Sequence, residues 1–162
     1  MIKKKTAAPP PIDSPERRRL PPLLRRAWYG LNQAFRRRLA HLGVTPDQFT
    51  VMRTLLEQEG ISQRQLTALI SSDPNTVAAL VNRMEEAGLL ARETHERDRR
   101  ANRLRLRPSA KIKYVQARAI ARALQAEVLH ALPETRHESF LADLDLVAEA
   151  CREAAGRSPG RG

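Results

Sequence analysis

The feature of the sequence that most constrains the fold is a short helix with a recognisable signal at each end. Asp73 is suited to cap the helix, Pro74 follows at a position where its missing N–H costs nothing, and Gly88 suits a left-handed stop. The apolar residues between these signals recur at i, i+3, i+4 and i+7 and predict one buried stripe of Val77, Leu80, Val81 and Met84. The opposite face carries Asn75, Ala79, Asn82 and Glu86, and its flanks carry Thr76, Ala78 and Arg83.

A shorter helix precedes this one and a basic hairpin follows it. The shorter helix opens with a capping box from Ser62 to Gln65 and is anchored by Leu66, Leu69 and Ile70. In the hairpin, leucines alternate with arginines. This alternation predicts a buried side with Leu104 and Leu106 and an exposed side with Arg103, Arg105 and Arg107. Ile61 is expected to add a one-residue strand beside the hairpin. This order of elements predicts a winged helix-turn-helix.

The exposed face of the second helix has the side chains that read base edges in a DNA major groove. Short side chains allow close approach, amides and hydroxyls match base edges, and arginine matches guanine. Taken alone, the same face is equally typical of a solvated helix. The hairpin favours DNA, because an arginine-rich ribbon suits the electronegative minor groove beside a reading helix. The alternative, a merely soluble loop, would usually mix charges more evenly than residues 95–102 do.

The DNA-binding residues predicted from this arrangement lie on both helices and on the hairpin tip. The start of the first helix, with Ser62 and Arg64, is suited to hold a phosphate. Asp98 is expected to pair with a neighbouring arginine and to hold the tip rigid. The full predicted set is Ser62, Arg64, Ser72, Asn75, Thr76, Ala79, Asn82, Arg83, Arg97, Arg99, Arg100 and Asn102.

Residues from about 22 to 153 resemble the MarR-type transcriptional regulators. The resemblance rests on residues 73–77 (DPNTV), 80–85 (LVNRME), 88–90 (GLL) and 98–100 (DRR), and on long helices at both ends. Residues 108–110 depart from the pattern, since many relatives carry a Thr and a Gly there. The resemblance implies a homodimer on a palindromic DNA site and a cleft for a small aromatic or anionic ligand. The residues considered for that cleft are Trp28, Tyr29, His41 and Met52, and each is also typical of a core position.

The flanking segments complete the predicted domain organisation. Residues 1–20 are expected to form a disordered basic arm, either inert or touching DNA phosphates, and residues 156–162 a disordered tail. The winged helix-turn-helix occupies residues 45–108, and residues 21–44 and 109–155 form a helical dimerisation region. Within these segments the expected helices run over residues 22–42, 110–131 and 134–154. The fold class is therefore mostly α with a small β wing.

Spare apolar surface on the flanking helices favours a two-fold dimer. Such a dimer would set two reading helices about 34–36 Å apart, one DNA turn. The alternative is a monomer with an elongated helical cap. Residues 127–153 hold seven acidic side chains against Arg136 and Arg152, so this part is not expected to face DNA. Cys151 is expected to be a small hydrophobic residue of the core or of an interface.

Charge and composition narrow the function further. The chain of 162 residues has a formal net charge of +11, which predicts a polyanionic partner, either nucleic acid or an anionic membrane surface. No apolar run approaches the ~20 residues of a membrane span, so DNA and a cytoplasmic location are favoured. The four histidines (His41, His95, His130 and His137) have no metal-ligand spacing, and no phosphate loop or catalytic triad is found. Neither a cofactor nor an enzymatic activity is expected.

These observations predict a homodimeric, sequence-specific transcriptional regulator, and the resemblance implies a repressor that a small molecule releases. The alternative is an architectural protein that binds DNA with little sequence preference. The net charge fits both functions, whereas the polar face of the second helix favours the first. A third possibility, a catalyst, would require a cleft with perturbed acid–base groups.

Overall fold

The computed structural model describes residues 19–95 and 98–156. For residues 94, 95 and 98–102 of the hairpin it describes the backbone and not the side chains. Within the described residues, six α-helices and one antiparallel pair of strands confirm the expected fold class, mostly α with a small β wing. In chain order the elements are α1 (Leu20–Leu39), α2 (Pro46–Glu57), α3 (Gln63–Leu69), α4 (Pro74–Glu86), β1 (Leu90–His95), β2 (Asp98–Leu106), α5 (Pro108–Leu129) and α6 (His137–Gly156). Short 3₁₀ helices at Ala40–Leu42 and Glu134–Arg136 follow α1 and precede α6.

The helix boundaries follow the capping signals of the sequence. Thr45 caps α2 in a capping box with Gln48, and Ser62 caps α3 in the same way with Gln65. The backbone N–H of Thr76 donates to Oδ1 of Asp73 over 2.9 Å at the start of α4. These bonds satisfy donors that the first turn of a helix leaves without backbone partners.

Two glycines end helical segments in the left-handed conformation, which the sequence predicted for Gly88. Gly43 has φ 62° after the first 3₁₀ helix, and Gly88 has φ 67° after α4. The chain turns tightly after Gly88, where the N–H of Leu89 donates to the carbonyl of Met84 over 2.9 Å. The turn between α3 and α4 contains Ser71 at φ 52°, a conformation that the sequence did not signal with a glycine.

The two strands form a hairpin whose base is tied to the helices. Leu90 pairs with Leu106 and Arg92 with Leu104, and the register shifts between Thr94 and His95. The N–H of Leu104 donates to the carbonyl of Ile61 over 2.9 Å, and the one-residue bridge beside the hairpin, expected at Ile61, pairs Ser62 with Arg103 instead. Because this bond fixes the start of α3 against β2, the hairpin and the two short helices form one structural unit.

The chain divides into two compact units, one up to Ala117 and one from Arg118 onward, with α5 crossing the boundary. In the first unit α2, α3, α4 and the hairpin pack around aliphatic side chains. The predicted stripe of α4 is buried: Val77, Leu80, Val81 and Met84. The neighbouring elements contribute further buried side chains: Leu39, Met52, Leu55, Leu66, Leu90 and Leu104. Leu69, expected to anchor α3, is the last residue of that helix and is 46% exposed instead.

Three aromatic rings from different helices add to the core of the first unit. The rings of Phe35 and Phe49 meet edge to face at 5.1 Å between centroids. The ring of Phe49 also stacks on that of Tyr114 at 5.4 Å. Nζ of Lys113 donates to the carbonyl of Leu42 over 2.5 Å, which satisfies a carbonyl at the end of the first 3₁₀ helix. These contacts fix the first turns of α5 to α1 and α2.

The second unit leaves much of its apolar surface exposed. Helix α6 buries no residue, and Phe140, Leu141, Leu144 and Leu146 are each at least 39% exposed. Cys151 is also exposed, so its expected place in a core is wrong within the single chain, whereas a place at an interface stays a prediction.

Candidate nucleic-acid interface

Helix α4 buries its apolar stripe and exposes its polar face, which we define as Asn75, Thr76, Ala79, Asn82 and Arg83. All five residues of this polar face are exposed, whereas the four stripe residues are buried. The first turn carries no acidic residue apart from the capping Asp73. The hydroxyl of Thr76 and, with a smaller effect, its backbone N–H donate hydrogen bonds to the carboxylate of Asp73. These bonds hold the pKa of Asp73 below its usual 3.8, so the cap is ionised at neutral pH.

The start of α3 presents an exposed cation beside a capped helix end. Arg64 is exposed, while Ser62 and Ser72 are half-buried. Oγ of Ser62 accepts from the N–H of Gln65 over 3.3 Å, and Oε1 of Gln65 accepts from the N–H of Ser62 over 2.8 Å. Ser62 therefore retains only its hydroxyl proton for an outside acceptor such as phosphate.

Arg92 is a central residue of this surface that the sequence reasoning missed. One of its guanidinium nitrogens, Nη1, pairs with the carboxylate of Glu85 at the end of α4. The other, Nη2, donates to Oδ1 of Asn82 over 2.6 Å and lies 3.4 Å from Oε1 of Gln63. Arg92 thus joins β1 to both short helices. Glu85 is its ion-pair partner, and the position of Arg92, two residues after the segment 88–90, was the available signal.

The exposed arginines of β2 near its base are also held by protein partners. Nη1 of Arg103 donates to the carbonyl of Gly60 over 2.5 Å. Nε of Arg105 lies 2.5 Å from a carboxylate oxygen of Glu93, and Glu59 is within 4 Å of both Arg105 and Lys111. All four members of this network are about half exposed, a setting in which single ion pairs are weak. The network links the base of the hairpin to Glu59 and to Lys111 on α5.

The tip of the hairpin is described only in its backbone. Asp98, Arg99, Arg100 and Asn102 belong to β2, and their side chains lie outside the described part of the structure. Arg97 lies wholly outside the described residues. His95 pairs with Asp98 in the backbone register of the two strands. The expected contacts of these arginines, and the pairing of Asp98, stay predictions.

The four residues considered for a ligand cleft do not share one environment. Trp28 and Tyr29 on α1 are 63% and 59% exposed, and His41 is exposed as well. Core positions are therefore wrong for these three residues. Met52 is fully buried and could touch a ligand only after repacking of the core. The hydroxyl of Tyr29 accepts from Nε2 of Gln33 over 2.8 Å.

Two other features of the described residues bear on function. No group of three or more His, Cys, Asp or Glu side chains within residues 19–95 and 98–156 is placed to hold a metal ion. In the same ranges, no helix combines the length and apolar character that crossing a membrane requires.

The comparison with known families matches the segment that carries this surface. Residues 44–101 match the model of the MarR family, and they include α2, α3, α4 and most of the hairpin. This segment is similar to the MarR family. The expectation drawn from the segments 73–77, 80–85, 88–90 and 98–100 is thereby confirmed.

Curated relatives of the MarR-type segment are regulatory proteins. A Thauera aromatica protein, inferred to be a transcriptional regulator for the hcr operon, is 32% identical over 84 residues, 52% of this chain and 47% of that protein. The HTH-type transcriptional repressor MdtR of Bacillus subtilis is 29% identical over 92 residues, 57% of this chain and 59% of that protein. The chain spans about half the length of these relatives.

Solved structures extend the MarR-type likeness to the flanking helices. The MarR family protein Rv2887 of Mycobacterium tuberculosis, in complex with DNA, is 25% identical, with a TM-score of 0.65 over 80% of this chain and 98% of that one. The same protein in complex with salicylic acid is 26% identical, with a TM-score of 0.67 over 82% and 98% of the two chains.

Proposed function

We propose that this chain is a homodimeric, sequence-specific DNA-binding transcriptional regulator, and that it acts as a repressor which a small ligand releases. The observation that carries the proposal is the polar face of α4. Every residue of that face is exposed, the opposite side of the helix is buried in the core, and a basic hairpin follows α4. A helix that enters a major groove needs this combination of a rigid buried side and short polar exposed side chains.

In the proposed complex each element of residues 45–108 has a separate task. The polar face of α4 reads base edges, and the start of α3, with Ser62, Arg64 and Ser72, holds a phosphate. The hairpin tip places Arg97, Arg99, Arg100 and Asn102 in the adjacent minor groove. The likeness to Rv2887, which has been solved with DNA, supports this assignment. The basic residues 1–20 would add sequence-independent attraction to the duplex.

The dimer is supported by apolar surface that a single chain leaves in water. On α1, Leu20, Leu23 and Leu31 are between 42% and 51% exposed, and on α5, Ile112 and Val115 are 64% and 68% exposed. Helix α6 exposes further large side chains. Burying such side chains is favourable, and a second copy of the chain is the partner that two-fold regulators use. Residues 21–44 and 109–155 would then form the dimerisation region.

Release by a ligand is supported by the likeness to Rv2887, which has also been solved with salicylic acid. For a small aromatic or anionic ligand, the residues proposed to line the site are Trp28, Tyr29, His41 and Met52. The test adds salicylate, as a probe, to the complex between the protein and its selected duplex. Loss of DNA binding in the wild type, with resistance in Trp28→Ala, supports release. Binding that is insensitive to salicylate and to other aromatic acids contradicts it.

The decisive test separates base reading from general attraction to DNA. Replacing Asn75 or Arg83 by alanine should cost about 1–3 kcal/mol against the selected site and much less against random duplexes. Arg53→Ala is the charge-matched control for Arg83→Ala, because Arg53 is exposed on α2 rather than on the polar face. Binding is measured by fluorescence anisotropy on both duplexes at one salt concentration. Equal losses on both duplexes would favour the architectural alternative.

A further inference from the structure

We propose that Arg92 is a positioning residue for DNA reading, which holds the side chain of Asn82 in place before the protein meets a duplex. Arg92 then contributes to specific binding through Asn82 and not through a base contact of its own. This inference rests on the proposed function, because it presumes that α4 reads base edges.

The contact with Arg92 determines which end of the Asn82 carboxamide faces the hairpin. Oδ1 of Asn82 accepts from Nη2 of Arg92 over 2.6 Å. A guanidinium has donors and no acceptor, so its partner must be the oxygen of the carboxamide and not the nitrogen. Hydrogen bonds from a charged donor are about twice as strong as bonds between neutral groups. The bond therefore holds the carboxamide in one of its two orientations.

Arg92 is itself held by groups on two helices. Its Nη1 pairs with the carboxylate of Glu85, three residues after Asn82 on α4. Its Nη2 also lies 3.4 Å from Oε1 of Gln63 on α3. The side chain of Arg92 is only 25% exposed, and water and salt screen a partly buried ion pair less than an exposed one. The guanidinium thus has a defined position from which it holds Asn82.

The bond to Arg92 leaves Asn82 able to read every base edge that an asparagine can match. Asn82 is exposed, and an amide oxygen that accepts one bond keeps a second lone pair and leaves both amide hydrogens available. Arg92 therefore changes how firmly the carboxamide is held and not which base it prefers. Side chains locked by supporting hydrogen bonds bind with less loss of conformational freedom.

The size of the effect follows from the freedom that Asn82 would otherwise lose on binding. Ordering one mobile side chain at an interface weakens binding by about twofold to tenfold. An asparagine has few side-chain torsions, so the lower part of this range, about twofold to fivefold, is the expected contribution of Arg92.

Asn75 provides an internal comparison on the same polar face. Its side chain is exposed and forms no hydrogen bond with the described part of the chain. In the proposed complex, DNA itself must order Asn75, whereas Arg92 orders Asn82 beforehand. The two side chains should therefore differ in mobility in the free protein.

The first test measures this mobility by NMR relaxation in the wild-type protein without DNA. Asn75→Ala and Asn82→Ala assign the two side-chain amide signals. We expect the order parameter of the Asn82 amide to lie above about 0.6, the limit below which a group is flexible, and that of Asn75 to lie below it. An Asn82 amide below that limit overturns the inference.

The second test asks whether Arg92 acts on DNA through Asn82. The measured quantity is the specificity ratio, the Kd on a random duplex divided by the Kd on the duplex selected by the full chain, at one salt concentration. Arg92→Met keeps the stem of the side chain and removes every donor. It should lower the specificity ratio of the wild type by about twofold to fivefold and leave that of Asn82→Ala unchanged. Equal falls in the two backgrounds would indicate a merely structural role and overturn the inference, as would an unchanged or higher ratio in the wild type.

Arg105→Met is the matched control for Arg92→Met. Arg105 is also a hairpin arginine paired with carboxylates, but its partners Glu59 and Glu93 lie outside α4. The control removes the same charge, so it should change binding to both duplexes and leave the specificity ratio as it is. A fall as large as that of Arg92→Met overturns the inference. If Arg92→Met unfolds, Arg92→Lys replaces it in the cycle, and the relaxation measurement on the wild type remains decisive.

The outcomes distinguish this inference from the proposed function. If the wild type selects no motif, the proposed function fails and the inference fails with it. If a motif emerges but Asn82→Ala leaves the specificity ratio unchanged, only the inference fails.

Discussion

Two leucines on α3 allow the packing of the helix-turn-helix to be tested with one substitution at two sites. Leu66 is fully buried, whereas Leu69, one turn later, is 46% exposed. Leu66→Ala removes buried methyl groups and leaves a cavity, which costs about 2.7–5 kcal/mol of unfolding free energy. Leu69→Ala removes a side chain that is about half in water, so it should cost only about 1 kcal/mol, roughly half of the transfer term for a leucine.

The expected difference of about 2–4 kcal/mol follows from burial alone, because the chemistry of the two substitutions is the same. Urea unfolding is followed by circular dichroism at 222 nm. Both variants and the wild type are compared at one protein concentration, since the stability of a dimer depends on it. Equal losses in the two variants, or a larger loss at Leu69, would refute the packing of α3 against the core.

Three further predictions concern the helix end, the helix cap and the hairpin tip. Gly88→Ala should lower the free energy of unfolding in urea by about 1–2 kcal/mol, because Gly88 has φ 67°. Gly30→Ala, in the middle of α1, should instead raise it by about 0.5–1 kcal/mol, and similar losses in the two variants would contradict this. The pKa of Asp73 is lowered on folding, so its cap contributes fully above the unfolded pKa and is lost as pH falls through the folded one. An NMR titration of its carboxyl carbon should therefore give a midpoint below 3.8, and a midpoint above that value would exclude the cap. Replacing Arg99 or Arg100 by alanine should weaken binding to every duplex and flatten its salt dependence, and unchanged salt slopes would remove the tip from the contact.

The parts of the fold that were predictable from the sequence are those with local causes. Capping, proline at the first helical position and left-handed glycines act within one turn, so the ends of α4 were marked by Asp73 and Gly88. The same locality explains the errors at other helix ends. Helix α5 begins at Pro108 rather than at residue 110, because proline is tolerated in the first turn. Helix α6 begins at His137 after a 3₁₀ turn, rather than at residue 134.

The contacts that were not predictable depend on residues distant in the chain. Arg92 meets Gln63 across 29 positions, and no periodicity within α4 signals that Asn82 has a partner on β1. Burial in the flanking helices was also misjudged, because Trp28 and Cys151 have apolar spacing but face solvent in a single chain. An amphipathic pattern identifies which face is apolar, but it does not identify what covers that face.

The central claim is that α4 and the hairpin of two protomers read consecutive grooves of one duplex. Hydroxyl-radical footprinting of the full chain on its selected site tests this claim most directly. The account predicts two protected segments related by two-fold symmetry, with centres about 34–36 Å apart along the helix axis. Uniform protection along the duplex, or a single unsymmetrical segment, would contradict it.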